Sequence, residues 1–248
     1  MNERLQPILV IIATVGVIIF NSLAASGYLG GVDVGAISDK YPTRVTPADY
    51  AFSIWSLIYL GLIAFSIYQA FPKNVKRFQS VRAVYILSCT ANCAWLYCWQ
   101  REMILVSLAV IFVLLATLVY INIKLQNIES YSEYWLAKVP FGLYFGWVTV
   151  AVILNATIAL VYLNVQVSVS TATIFGATLI FIAAIMGVLI SNKLRNYFYP
   201  LAVAWALTAI AVKQSGQTSI VASAAVGVIA CLIAALSFVM RMNSSKFE

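Results

Sequence analysis

The sequence predicts an all-α fold, a polytopic helical bundle in a membrane with eight transmembrane helices. Of its 248 residues, 63% are hydrophobic and only 9% are charged, whereas soluble domains are about half apolar and a quarter charged. The apolar residues form long uninterrupted runs, and the basic residues occupy the short gaps between them. Since a helix needs about 20 apolar residues to cross a hydrocarbon core of about 30 Å, each run of that length predicts one span.

Eight runs meet this criterion, and none of the gaps between them is long enough for a soluble domain. The seventh run is short, but basic residues at both of its ends can extend toward the membrane surface. In chain order the predicted spans are residues 8–25, 50–71, 83–99, 103–123, 139–163, 172–190, 197–212 and 220–240.

The distribution of basic residues predicts the orientation. With eight spans, all but four of the 15 Lys and Arg residues fall on one side of the membrane. Because the cytoplasmic side carries the excess of Lys and Arg, both termini are expected in the cytoplasm. The bacterial inner membrane is the expected location, since outer-membrane proteins span as barrels. In an alternative interpretation, the first run is a cleaved signal peptide, but its length and Glu3 beside Arg4 favour a retained helix.

Several function classes are disfavoured by what the chain contains. It has no histidine, which removes the usual zinc ligand and the usual general base. Cys89 and Cys93 are spaced for one helix face, but apolar surroundings favour packing over metal binding. The basic residues form no continuous face for nucleic acid. On the predicted boundaries no charged residue lies inside a span, which argues against proton-coupled transport. We therefore predict no metal site and no required cofactor.

We also predict no catalytic residues and no enzymatic activity. Without histidine, catalysis would depend on carboxylates at the outer surface, and none has a convincing partner in the sequence. These candidates are Asp33, Asp39, Asp49 and Glu102. Asp49 has a simpler interpretation, because Thr46, Pro47 and Asp49 together are typical of a capped helix start.

Three of the predicted helices carry an aromatic stripe at helical spacing. The stripes are Phe52, Trp55, Tyr59, Leu62 and Ser66 in the second span; Ser88, Asn92, Trp95 and Trp99 in the third; and Phe141, Tyr144, Trp147, Ala151 and Asn155 in the fifth. Tyr59, Asn92 and Asn155 all lie about 10–14 Å below the outer edge at 1.5 Å per residue. The common depth predicts a cleft with aromatic walls, covered by the long loop of residues 26–49. Alternatively, the rings form an interfacial belt and the asparagines join helices.

The same motifs resemble the tryptophan-rich sensory protein family, also called TspO/MBR or translocator protein. The resemblance rests on Thr46-Pro47 followed by Phe52, Trp55 and Tyr59, then Asn92-x2-Trp95, then Trp147-x3-Ala151-x3-Asn155. It implies a five-helix bundle, often dimeric, that binds tetrapyrroles, sterols or synthetic aromatic ligands beneath the first loop. The implied ligand-binding residues are Trp55, Tyr59, Asn92, Trp95, Trp147, Ala151 and Asn155.

The motifs cover about the first 165 residues and depart from the family pattern in places. Ala48 replaces a second proline, the interval from Phe52 to Trp55 is one residue shorter, and Pro140 is three residues farther from Trp147. We therefore predict a TspO/MBR-like five-helix bundle over residues 1–165 and three additional helices over residues 166–248. The expected function is that of a membrane receptor or sensor for a flat apolar ligand of the tetrapyrrole or sterol class. The expected partners are membrane lipid, this small ligand and a second copy of the chain. The alternative is a permease that moves a small apolar or amphipathic solute by facilitated transport.

Overall fold

A computed structural model describes the backbone of residues 5–244 and the side chains of residues 5–237; Glu3 and Arg4 lie outside these limits. The described residues form helices and turns with no strand, so the predicted all-α class is confirmed. A 3-10 turn, Asp49–Ser53, precedes α3, and a π-helical turn, Tyr134–Lys138, joins α6 to α7. The helices are α1 (Leu5–Ala25), α2 (Val34–Lys40), α3 (Ile54–Tyr68), α4 (Gln79–Gln100), α5 (Ile104–Lys124), α6 (Tyr131–Glu133), α7 (Val139–Tyr162), α8 (Val169–Leu194), α9 (Phe198–Lys213) and α10 (Thr218–Ser244).

Six helical segments within the described residues are long and apolar enough to cross a membrane, which supports an integral membrane protein. They are Leu5–Ala25, Asp49–Tyr68, Ile104–Lys124, Tyr131–Tyr162, Val169–Leu194 and Thr218–Ser237. The predicted count of eight is not confirmed. The third and seventh predicted spans correspond to α4 and α9, but α9 has only 16 residues and α4 contains many polar side chains. Those of Arg82, Asn92 and Gln100 are buried against other helices, so they are sheltered from lipid.

Helix α7 lies at the centre of the bundle and packs against α3, α5 and α9. On one side, α1 packs against α3 and α4, and α4 packs against α5. On the other side, α8, α9 and α10 pack on one another, and α9 makes most of their contact with α7. The last three helices therefore join the rest of the protein mainly through α9. The division at residue 165 stays a prediction.

The start of α3 differs from the predicted capped helix. Ala48 is the N-cap residue and supplies no side-chain hydrogen bond. The Thr46 hydroxyl instead accepts a hydrogen bond from the Thr43 N–H at 2.9 Å, and Asp49 lies 3.6 Å from Lys213. The Ala48 N–H donates to the Ala209 carbonyl of α9 at 3.0 Å. The capping prediction is wrong because a contact with a distant helix, which local sequence does not reveal, fixes this segment.

Charged residues enter the helices, contrary to the predicted boundaries. The span that contains α7 begins at Tyr131 and therefore includes Glu133 and Lys138, both of which are buried. Helix α4 begins early enough to include Arg82, whose buried guanidinium donates to Gln69 Oε1 at 2.6 Å. The prediction that no charge lies inside a span is wrong for the Tyr131–Tyr162 segment. Hydropathy alone missed these groups because each has a polar partner that satisfies it inside the protein.

Candidate functional site: an aromatic cluster beneath the first loop

Trp55 of α3 is the centre of a ring cluster built from three helices. Its ring stacks on that of Tyr59, with centroids 5.5 Å apart and planes at 16°. Trp95 of α4 lies 6.2 Å from it, and Tyr144 and Trp147 of α7 meet it edge-on at 5.7 and 6.3 Å. The stripes of α3, α4 and α7 therefore face one another, because a spacing of three and four residues keeps each stripe on one side of its helix.

Amide side chains hold the same cluster together. Trp95 Nε1 donates to Asn155 Oδ1 at 3.1 Å, while the Asn155 amide nitrogen donates to the Ala151 carbonyl at 2.8 Å. Asn92 Oδ1 accepts a hydrogen bond from Asn21 Nδ2 of α1 at 2.8 Å. Helix α1 thus supplies a fourth wall that the resemblance did not include. Asn21 is an uncharged polar residue in an apolar run, and that signal was available in the sequence.

Two buried polar atoms in this cluster, Tyr59 Oη and Trp147 Nε1, have no hydrogen-bond partner among the described residues. Buried polar groups are nearly always hydrogen-bonded, and each exception costs about 1–3 kcal/mol. Both belong to residues that the motifs predicted as ligand-binding. Both rings contact Trp55, so the unpartnered polar groups lie on either side of this tryptophan.

The cluster is divided between a small closed cavity and an open groove. The closed cavity has a volume of about 20 Å³ and is lined by Trp95, Trp147, Ala151 and Asn155, among others. That volume holds about one water molecule. The groove beside it has a volume of about 350 Å³ and is lined by Trp55 and Tyr59, with residues from α1 and the first loop.

Phe52 and Val34 line both spaces and form the wall between them. Asn92 lines neither space. The Phe52 ring contacts Trp147 edge-on at 5.8 Å. Ala206 of α9 also lines the closed cavity, and the motifs gave no sign of it because they end before α9. The predicted residues thus lie together, around a space that their own rings nearly fill.

The family is decided by a match over most of the chain. The sequence model of the TSPO-like protein family matches residues 7–238. The chain belongs to the TSPO-like family. The matched range continues through α8, α9 and most of α10, well past the region that the motifs cover. No curated protein and no solved structure matches the chain.

In this TSPO-like chain, hydrogen bonds and ion pairs from neighbouring helices and turns hold the first loop over the cluster. Two side chains at the end of α4 bind its backbone: Trp99 Nε1 donates to the Val34 carbonyl and Gln100 Nε2 to the Val32 carbonyl, at 3.1 and 2.9 Å. Two ion pairs hold the loop from the turns beside it. They are Lys40 with Glu102, at 2.6 Å, and Lys213 with Asp39, at 2.9 Å.

The carboxylates that an enzyme would need are engaged in these contacts. Asp33 caps α2 by accepting a hydrogen bond from the Ala36 N–H at 2.9 Å, and the other three carboxylates named above form ion pairs. Within the described part of the chain, no group of three His, Cys, Asp or Glu residues is placed to hold a metal ion. TSPO-like proteins are generally not enzymes. In this chain the four carboxylates form a helix cap and ion pairs in and around the first loop.

We expect a lower pH to weaken the contacts of Glu102 that hold the first loop. Hydrogen bonds from Lys40 and Tyr41 lower the pKa of Glu102 below its ordinary value of 4.5. A carboxyl group whose pKa is lowered by folding stabilises the fold above its ordinary pKa, and that contribution is lost as the pH falls below this value. We expect the protection factors of amides in the first loop, relative to the intrinsic exchange rate at each pH, to fall below pH 4.5 in the wild type. Glu102→Gln should show the lower protection already at neutral pH, and a loop that is equally protected in that variant would contradict the assignment.

Proposed function

We propose that this TSPO-like membrane protein acts as a receptor or sensor that binds a flat apolar ligand of the tetrapyrrole or sterol class at the aromatic cluster. The observation that carries the proposal is a pair of unpartnered buried polar atoms, Tyr59 Oη and Trp147 Nε1, on two rings that both contact Trp55. Aromatic walls with a few convergent polar groups are typical of sites for small apolar ligands. Membership of the family supports the broader sensor or receptor role.

The groove is the proposed entrance. Its volume of about 350 Å³ falls in the range of ligand sites, about 300–1,000 Å³. A planar ligand in the groove would lie against the rings of Trp55 and Tyr59. Tyr59 Oη is buried, so it would donate a hydrogen bond to the ligand only after the Tyr59 ring shifts toward the groove. If the edge of the ligand displaces the Phe52 ring, it would reach Trp147 Nε1. The chain contains no histidine, so stacking and hydrogen bonds would hold a tetrapyrrole.

Opening the closed cavity requires the Phe52 ring to leave Trp147, and the free energy lost with this contact can be estimated. The edge contact between Phe52 and Trp147 is of a kind worth about 0.5–1.5 kcal/mol beyond its area. A ligand shifts such a two-state equilibrium by its difference in affinity for the open and closed forms. The Trp147 N–H, which a ligand reaches only after the Phe52 ring is displaced, would supply that difference. The proposal therefore implies that the cluster opens on binding and is closed without ligand.

Two tyrosines test the role of the unpartnered atoms. Tyr59→Phe removes only Oη, so we expect protoporphyrin IX to bind about threefold to tenfold more weakly, the equivalent of one net hydrogen bond of about 0.5–1.5 kcal/mol. Stability should be unchanged or slightly higher, because an unpartnered buried hydroxyl is removed. Tyr85→Phe is the matched control, since the Tyr85 hydroxyl is already bonded to that of Thr14 at 2.7 Å; this variant should lose stability and keep affinity.

Binding is measured by quenching of tryptophan fluorescence in detergent, and stability by thermal unfolding. Equal affinity of wild type and Tyr59→Phe for both the porphyrin and a sterol would contradict the proposed contact. Absence of saturable quenching by either ligand would overturn the ligand class. Counterflow in proteoliposomes separates a receptor from a permease: binding without flux supports the receptor, and uptake of a labelled ligand would overturn it.

A further inference from the structure

A second pocket lies at the opposite end of the bundle from the first loop. It has a volume of about 520 Å³ and combines two cationic side chains with aromatic rings and amides. Its lining residues come from the segment between α5 and α7 and from the turn between α8 and α9. The residues that matter are Tyr131, Trp135, Lys138, Arg195 and Gln126.

Lys138 is a buried cation that forms no ion pair with any acidic residue in the described part of the chain. Only 3% of its surface is exposed, and Nζ donates to the Gln126 carbonyl at 2.6 Å. An ammonium group has three donors, and a buried charge normally requires an ionic partner. The nearest acidic residue in its own helical segment, Glu133, is paired with Arg77 at 2.6 Å. Lys138 also ends a π-helical turn, a distortion that is frequent at functional sites.

Arg195 faces the same pocket from an unusual backbone conformation. It ends α8 in the left-handed region, with φ 51° and ψ 40°, where glycine is the usual residue because side chains are strained there. Its side chain forms no ion pair within the described residues. The next residue, Asn196, donates from Nδ2 to the Lys138 carbonyl at 2.8 Å. This bond fixes the backbone around Lys138 relative to that around Arg195, so both residues are held at the same pocket.

The rim of the pocket suits a membrane surface. Tyr131 and Trp135 meet edge-on at 6.1 Å and are 75% and 41% exposed. Rings with a polar tip collect at the boundary between lipid and water. Basic pockets between transmembrane helices are a known means of binding anionic lipid headgroups. The pocket thus offers positive charge at its base and amphipathic rings at its edge.

We propose that this pocket binds the headgroup of an anionic phospholipid, with the phosphate between Lys138 Nζ and the Arg195 guanidinium. A guanidinium and an ammonium together supply enough donors for the phosphate oxygens. The lipid chains would leave the pocket past Tyr131 and Trp135. The site is separate from the aromatic cluster, and this proposal does not depend on the receptor function.

The test compares retention of lipid by the full-length protein in native mass spectrometry. Phosphatidylglycerol should be retained at least tenfold more than phosphatidylcholine, whose choline group the two cations repel. Arg195→Gln and Lys138→Gln should each abolish this preference. Lys193→Gln is the matched control: Lys193 is exposed and does not line the pocket, so it changes the net charge by the same amount and should reduce retention less than twofold.

Arg195→Gln keeps the test decisive even if the buried Lys138→Gln variant fails to fold, because Arg195 is exposed. Equal losses in Arg195→Gln and Lys193→Gln would overturn the site in favour of general surface charge. Equal retention of the two lipids would overturn it as well. A soluble phosphate ester, sn-glycerol 3-phosphate, should fail to displace the lipid at equal concentration, and displacement would overturn the assignment to a membrane lipid.

Discussion

Trp55→Ala is expected to weaken binding of a tetrapyrrole or sterol by about thirtyfold to several hundredfold. Trp55 contacts four other rings and also lines the groove, so its loss removes both the stacking surface and the support of its neighbours. Truncation of a central aromatic anchor costs at least about 2–4 kcal/mol of binding free energy, and each 1.4 kcal/mol is a factor of ten. The measurement is a titration with protoporphyrin IX, followed by the absorbance of the porphyrin.

Loss of folding is a competing explanation, because Trp55 is partly buried and replacing a fully buried tryptophan by alanine costs about 3–5 kcal/mol of stability. Trp55→Phe separates the two effects. It keeps a flat ring and should retain most of the affinity with little loss of stability. Trp135→Ala removes a tryptophan at the opposite end of the bundle and should leave porphyrin binding unchanged. If Trp55→Ala folds and binds as tightly as Trp135→Ala, the cluster is not the ligand site.

The helices were predictable because their signal is local. A run of apolar residues indicates a helix in a membrane whatever the rest of the chain does. Each predicted run overlaps a helix, although only six helical segments of the described chain are long and apolar enough to cross a membrane. Hydropathy does not distinguish a helix that faces lipid from a helix whose polar side chains are buried against other helices. Polar groups of α4 such as Asn92 Oδ1 and Arg82 Nε are satisfied by Asn21 and Gln69, which lie far away in the sequence. A hydropathy profile contains no information on hydrogen bonds to distant residues, so it cannot show that these polar groups are sheltered from lipid.

The site was predictable in its parts and unpredictable in its shape. Helical periodicity placed Trp55, Trp95 and Trp147 on stripes, and the common depth predicted that these stripes meet. Whether rings that meet leave a space depends on their rotamers and on the distance between helices. These are tertiary properties. The small closed cavity, its wall at Phe52 and the contribution of Ala206 all belong to that level. The cations of the second pocket were missed for a similar reason, since they come from separate turns.

Gly146→Ala is expected to destabilise the protein by about 1–3 kcal/mol, the typical cost of overpacking. A Cβ at Gly146 would press on the Tyr199 carbonyl oxygen and lie 2.9 Å from Ala202 Cβ. The Tyr199 oxygen is a backbone atom of α9, and Ala202 Cβ is bonded directly to that backbone. Neither atom can therefore move away by a side-chain rotation. Elsewhere in a helix, replacing glycine by alanine gains about 0.5–1 kcal/mol. Gly16→Ala in α1 is the matched control, since nothing lies within 4 Å of its added Cβ; it should be neutral or stabilising in thermal unfolding.

The same substitution tests whether the last three helices take part in binding. Gly146 lines neither the closed cavity nor the groove, but it sets the approach of α9 to α7. Trp147 follows it directly on α7, and Ala206 lies one turn beyond Ala202 on α9; both line the closed cavity. If the added methyl group pushes α9 outward, Ala206 moves away from Trp147 and the closed cavity changes shape. Gly146→Ala should therefore change porphyrin affinity as well as stability. Unchanged affinity in a folded but less stable variant would show that α8, α9 and α10 support the bundle without shaping the site.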